Sequence, residues 1–210
     1  MPLPFEARVG FYGKLPARGD FVRENLRRDF VDNWDAWWQR GLAAVQGERQ
    51  QGWREAWLEA PIWRFVLPPG LCGKSGVLGL WMPSVDLGNR YFPLTIAATA
   101  DVDWVPHLAA MTPFLEQAEE AGLDALELDL PPAEVQARIV AAFATETDGG
   151  AAPSLAPGDA AWWTEGGPRV MARLETGNAL PEGERFAALI DDRWGPQPPA
   201  SMDAIQAEPR

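Results

Sequence analysis

Six of the eleven tryptophans, Trp34, Trp37, Trp38, Trp53, Trp57 and Trp63, crowd into one short stretch of the chain. An indole buries on the order of 150–250 Å². So many together demand either a thick apolar layer to cover them or a partner to receive them. Their spacing favours the layer. Val31, Trp34, Trp37/Trp38, Leu42 and Val45 recur every three to four residues, which predicts an amphipathic helix ending near Gln46. Asp29 or Asp32 is placed to cap it, because a carboxylate accepts the orphan amides of a first turn. The six tryptophans are expected to be core; Trp38 lies one position off the stripe, which leaves one or two of these indoles as candidates for exposed anchors to a partner. A second helix over 52–60 carries Trp53, Trp57 and Leu58 and stops at Pro61.

Around these helices the pattern changes period. Residues 8–13 read as a first strand and 14–29 as a loop holding Lys14, Pro16, Arg18, Gly19 and Asp20. Strands are expected over 62–67, 75–82 and 90–98, with a turn over 83–89. Pro106 opens a helix with Leu108, Met111, Leu115 and Ala118 on one side, and Pro131-Pro132 opens another with Val135, Ile139, Ala142 and Phe143. A Gly/Ala/Pro-rich flexible connection over 148–159 leads to two short strands (161–164 and 169–174) and a helix over 184–191. Strands grouped rather than alternating with helices argue for an α+β fold. The expected architecture is a mostly antiparallel or mixed sheet flanked by helices, a single three-layer domain over 1–194, with a Pro/Ala-rich flexible tail over 195–210. A length of 210 residues with 47% hydrophobic content suffices for that core.

Net charge is -12, and it is unevenly placed: residues 1–100 sum to +2 and residues 101–210 to -14. Such acidity argues against nucleic acid as a partner. The single cysteine, Cys72, excludes an internal disulfide and a multi-cysteine metal site, and the single histidine, His107, disfavours a zinc centre or a histidine-based triad. No apolar run reaches the ~20 residues of a membrane span, and the first residues lack a secretory signal, so a cytoplasmic location is expected.

Local motifs yield no catalyst. Gly73-Lys74-Ser75 suggests a phosphate loop, but that motif needs a glycine at position 68, where the chain has Pro, and a helix where it has an apolar strand. Arg18-Gly19-Asp20 reads as a turn, Cys72 as a small buried hydrophobe and His107 as a first-turn polar group. No catalytic residue, metal ligand or cofactor is expected.

Longer motifs say more. They are Gly10-Phe11-Tyr12-Gly13-Lys14-Leu15-Pro16-Ala17-Arg18-Gly19-Asp20-Phe21, then Pro61-Ile62-Trp63-Arg64-Phe65, then Met82-Pro83-Ser84-Val85-Asp86 leading into Gly88-Asn89-Arg90-Tyr91-Phe92-Pro93-Leu94-Thr95. In order and spacing they resemble the TagF (ImpM) family of accessory proteins of the bacterial type VI secretion system. Trp162-Trp163-Thr164-Glu165-Gly166 and Leu180-Pro181 followed by Phe186 resemble that family's weaker C-terminal pattern. The spacing through Leu87-Gly88-Asn89-Arg90 is the one departure, and it affects a turn. The resemblance implies a cytosolic, non-enzymatic regulator: a post-translational repressor that sequesters the forkhead-associated scaffold protein. The alternative is a small α+β hydrolase or phosphate-binding enzyme.

Charged residues in Gly/Pro-rich turns are where folding alone explains least. Partner-binding candidates are therefore Lys14, Arg18, Asp20, Phe21, Arg64, Ser84, Asp86 and Arg90. The expectation is that the 13–21 and 83–92 loops lie together, with Arg18 or Arg90 paired to Asp20 or Asp86. Such a pair can serve a partner or act as an internal brace.

Overall fold

The computed structural model describes residues 5–49, 51–145 and 149–196. Seven strands form one sheet: β1 (Arg8–Gly13), β2 (Val22–Glu24), β3 (Trp63–Leu67), β4 (Gly76–Met82), β5 (Leu94–Ala100), β6 (Ala160–Thr164) and β7 (Arg173–Gly177). Their order is β2-β1-β5-β4-β3-β6-β7, and every neighbouring pair is antiparallel. Helices α1 (Arg28–Glu48), α2 (Trp53–Leu58) and α5 (Glu184–Ala187) cover one face. Helices α3 (Leu108–Glu127) and α4 (Pro132–Ala144) cover the other. The α+β, three-layer expectation holds.

Two covered faces explain why the central strands read as apolar runs rather than alternating ones. Every residue of β4 and β5 is buried. Leu78, Leu80 and Met82, with Leu94, Ile96 and Ala98, face α3 and α4. Val77, Trp81 and Ala97 face the tryptophan layer under α1.

That layer is thicker than one helical stripe. Trp34, Trp37 and Trp38 are all buried, so the core expectation holds for this helix and the exposed-anchor alternative fails for Trp38. The reason is tertiary: Trp38 packs among Trp57, Trp81 and Phe186, because α1 is wedged between the sheet and the C-terminal segment. Some indole N–H groups find acceptors along that wedge, whereas those of Trp38 and Trp81 find none among the described residues. Trp34 donates to Thr95 Oγ1 at 2.9 Å, Trp37 to the Pro181 carbonyl at 2.7 Å and Trp63 to the Leu189 carbonyl at 2.9 Å. Gly41 is required here, since a Cβ would lie 2.3 Å from the Phe186 ring.

Several boundaries differ from the sequence reading. Helix α1 starts at Arg28 without a side-chain cap, because the Asp29 carboxylate instead accepts the Lys74 amide at 2.8 Å. Strand β2 interrupts the expected 14–29 loop; it is short, largely exposed and held by pairing with β1. Strand β5 begins at Leu94 rather than 90, since Tyr91 bridges back to Val85. The strand expected over 169–174 is shifted to 173–177, and α5 ends at Ala187, with a single 3₁₀ turn following at Asp192–Trp194.

The connection expected to be flexible is pinned where it is described. Pro113 lies inside α3 and has no N–H for the Ala109 carbonyl, which accepts the Gly150 amide at 2.8 Å instead. Thr112 Oγ1 donates to the neighbouring Ala151 carbonyl at 3.2 Å. Most of the expected tail, 197–210, lies outside the described residues.

Candidate functional site

At one end of the sheet β1 runs into the 14–21 loop and β4 into the 83–93 turn, and the two segments interlock. Leu87 donates its amide to the Arg18 carbonyl at 3.3 Å, and Arg90 reaches the Gly19 carbonyl through Nη2. Ser84 Oγ donates to the Lys14 carbonyl at 2.8 Å. The expected meeting of the loops is thus a property of the fold.

Asp86 organises the junction. Its side chain is inaccessible to solvent, and Oδ1 accepts the amides of Gly88 (2.8 Å) and Arg90 (2.9 Å). Oδ2 accepts Arg90 Nε at 2.8 Å and the buried Lys14 ammonium. Burial pushes this carboxyl up, but Lys14 and the two amides outweigh it and hold Asp86 down at about 2. A lysine fully removed from water needs such a counter-charge. Nothing in the local sequence announces that Lys14 is buried, and the Lys14–Asp86 pair was not among those anticipated. Of those that were, Arg90–Asp86 forms. The side chains of Arg18 and Asp20 make no hydrogen bond or ion pair among the described residues; both point to solvent.

Phe21 completes the arrangement. It stacks on Tyr12 (centroids 5.5 Å apart), meets Phe92 edge-on at 4.8 Å and lies 4.2 Å from Lys14 Nζ, yet 43% of it remains exposed. Tyr12 in turn donates to Asp35 Oδ1 at 2.6 Å; burial first, and then this bond, raise the pKa of its phenol. The turn also rests on α2: Trp57 Nε1 donates to the Ser84 carbonyl at 3.0 Å, and Trp53 meets Tyr91 edge-on at 4.8 Å. Trp53 is partly exposed and packed against the edge of the tryptophan layer, a contact that nothing in the sequence pattern specified. A tryptophan at helical spacing does not show which neighbour covers it.

Arg64 stands apart from the junction. It projects toward α3 and donates to Glu119 at 3.1 Å, beside a cleft of about 160 Å³ shared with Trp163 and Glu165.

The other motifs are structural. Lys74 and Ser75 form a turn tied to Asp29 and Asp101 (2.8 and 2.6 Å). Cys72 is buried in the tryptophan layer, where burial and nearby Asp29 push its thiol up to about 12. His107 packs against Phe5, which sits on the opposite layer, so the two cannot form a nucleophile–base pair. Among the described residues no group of three or more His, Cys, Asp or Glu could hold a metal ion, and no helix is long and apolar enough to cross a membrane.

Comparison with known families places this arrangement. Residues 10–142 match the family model of the TagF N-terminal domain, described as type VI secretion system-associated. The chain belongs to the TagF family. The TagF match takes in both interlocked turns, the 61–65 segment and the sheet through β5, and links the chain to type VI secretion. It stops within α4, before β6, β7 and α5. The whole structure is similar to the crystal structure of PA0076 from Pseudomonas aeruginosa PAO1, with a TM-score of 0.75 and 33% sequence identity over 88% of this chain and 94% of that one. No match is found among curated proteins.

Proposed function

We propose that this TagF-family chain is a cytoplasmic accessory regulator of the bacterial type VI secretion system. It acts post-translationally as a repressor, by binding the forkhead-associated scaffold protein and not by catalysis. The observation carrying this reading is that the longest TagF-like motifs converge on one junction whose polar centre is consumed internally while its rim stays free. Lys14, Ser84 and Asp86 hold the two turns, and Arg18, Asp20, Phe21 and part of Arg90 face outward on that rigid support. A recognition surface on a pre-ordered base loses little entropy on binding. Arg64, set apart at the α3 cleft, is a secondary contact in this scheme.

The test is affinity purification of the tagged protein from its native cytosol, with the forkhead-associated scaffold as expected prey. Arg90→Ala and Arg18→Ala should weaken recovery while circular dichroism stays native. Recovery of none of the secretion apparatus overturns the reading, and so does unchanged recovery by both variants.

A further inference from the structure

A row of side chains crossing the sheet shows where its helical cover ends. On the α3 side the row runs Leu80 (β4), Arg64 (β3), Trp163 (β6) and Leu174 (β7), each the register partner of the next. Register partners share a face of the sheet. Leu80 is fully buried beneath α3, and 16% of the Arg64 side chain is exposed. Trp163 is only half-buried, and 44% of Leu174 is exposed. Past Arg64 the sheet therefore presents an apolar floor that no helix covers. Ile62 and Trp163 also line the cleft of about 160 Å³ whose other walls include Glu119 of α3 and Glu165.

The basic groups around this floor are already engaged. Arg64 is paired with Glu119, Arg169 with Glu59 and Asp191, and Arg173 with Glu175 and Asp192. Glu165 is exposed, and its carboxylate has no hydrogen bond or ion pair among the described residues. The same holds for Glu116 and Glu120, one turn apart on the exposed side of α3 next to Glu119. Local and whole-chain charge agree in sign: residues 101–145 carry nine carboxylates against the single guanidinium of Arg138, within a chain of net charge -12. Such a surface attracts a cation and repels acidic peptides and anionic bilayers alike. Carboxylates by themselves are content in water; the half-open indole beside them is what selects. A Lys or Arg side chain covers aromatic surface with its stem while its head meets the ring face or a carboxylate.

We propose that the uncovered β6–β7 end of this face seats a protein segment carrying Lys or Arg beside an apolar residue. The cation enters the cleft between Trp163 and Glu165, and the apolar residue rests on Leu174. This goes beyond the role of the interlocked turns and does not depend on it. Strands β6 and β7 lie outside residues 10–142 of the TagF match and on the far side of β3 from both turns. It also gives a task to the Trp162-Trp163-Thr164-Glu165-Gly166 motif, which the turns do not use.

The experiment follows fluorescence anisotropy of two fluorescein-labelled peptides, one alternating Lys and Leu and one alternating Glu and Leu, against the full chain. Glu165→Lys reverses an exposed charge that leaves no partner stranded, and Leu174→Ser removes the apolar contact. Glu48→Lys makes the same charge change at an exposed, unpaired site on α1, across the sheet. The Lys/Leu peptide should bind, more weakly as salt rises, and the Glu/Leu peptide should not. Affinity should fall about tenfold or more for Glu165→Lys and about threefold or more for Leu174→Ser, and stay within about twofold for Glu48→Lys. Equal losses for Glu165→Lys and Glu48→Lys overturn the site and leave only attraction to net charge. Indifference to Leu174→Ser overturns the seat on the sheet. Failure of the Lys/Leu peptide to bind, or binding of the Glu/Leu peptide, overturns the basic partner. Analytical ultracentrifugation tests the other occupant: a dimer that Leu174→Ser dissociates overturns the basic segment in favour of a second copy.

Discussion

Replacing Asp86 by Asn keeps the shape of the junction and removes its negative charge. Asn Oδ1 can still accept the Gly88 and Arg90 amides, but the Lys14 ammonium, with only 4% of its side chain exposed, is left without a counter-ion. Breaking a buried pair from one side costs about 3–5 kcal/mol. For a chain of this size that lowers Tm by roughly 6–20 °C, at about 2–4 °C per kcal/mol. Removing both charges is cheaper, because the penalty belongs to the stranded ammonium. Lys14→Met in the Asp86→Asn background should therefore recover much of the loss.

The same residue sets an acid dependence. The Asp86 carboxyl lies at about 2 in the folded protein against an ordinary 3.8, so its contribution is present above pH ~4 and lost as pH falls through about 2. At 1.36 kcal/mol per unit the contribution is on the order of 2 kcal/mol. The stability gap between wild type and Asp86→Asn should narrow by that amount between pH 5 and about 2. Urea unfolding followed by tryptophan fluorescence, on the two single variants and the double, measures both effects. Additivity within about 0.5 kcal/mol would refute the coupling, and a gap independent of pH would refute the electrostatic account.

Gly41→Ala should destabilise by about 1–2 kcal/mol, because overpacking against Phe186 outweighs the ~1 kcal/mol that alanine gains in a helix; a Tm at or above wild type contradicts the packing described. Cys72 should resist a thiol reagent at pH 8 in the native protein and react once urea unfolds it, its thiol standing at about 12; rapid native labelling would show the site to be open. Glu119→Gln should change stability by about 1 kcal/mol or less, since its bond to Arg64 is partly exposed, and thermal unfolding reads this directly.

What the sequence revealed follows from how local each cause is. Helices α3 and α4 announce themselves through periodicity and opening prolines, and β3 to β5 through apolar content, because both faces of the sheet are covered. Strand β2 does not, and β7 lies at 173–177 rather than at the expected 169–174. Val-Arg-Glu and Arg-Leu-Glu-Thr-Gly are polar edge segments that exist through their neighbours. At the site, the joining of the two turns was legible because both are rich in charge and in turn-forming residues. The ion pair that fixes it was not, since the burial of Lys14 is decided by Phe21, Ser84 and Asp86 closing over it. Trp38 and Trp53 show the same limit: helical spacing did not tell which indole is enclosed, and it is the off-stripe Trp38 that is buried while Trp53 is partly exposed and supports a turn.

The indole bonds under α1 also have a consequence for how the chain is made. Trp37 finds its acceptor at Pro181 and Trp63 finds its own at Leu189, separations of 144 and 126 residues. A ribosome releases the tryptophans long before it releases the segment that covers them. For that interval the nascent chain displays its most adhesive surface, and contacts so distant in sequence close slowly. The C-terminal segment is the lid of this core, and the cell has to keep the open half from aggregating until synthesis delivers it.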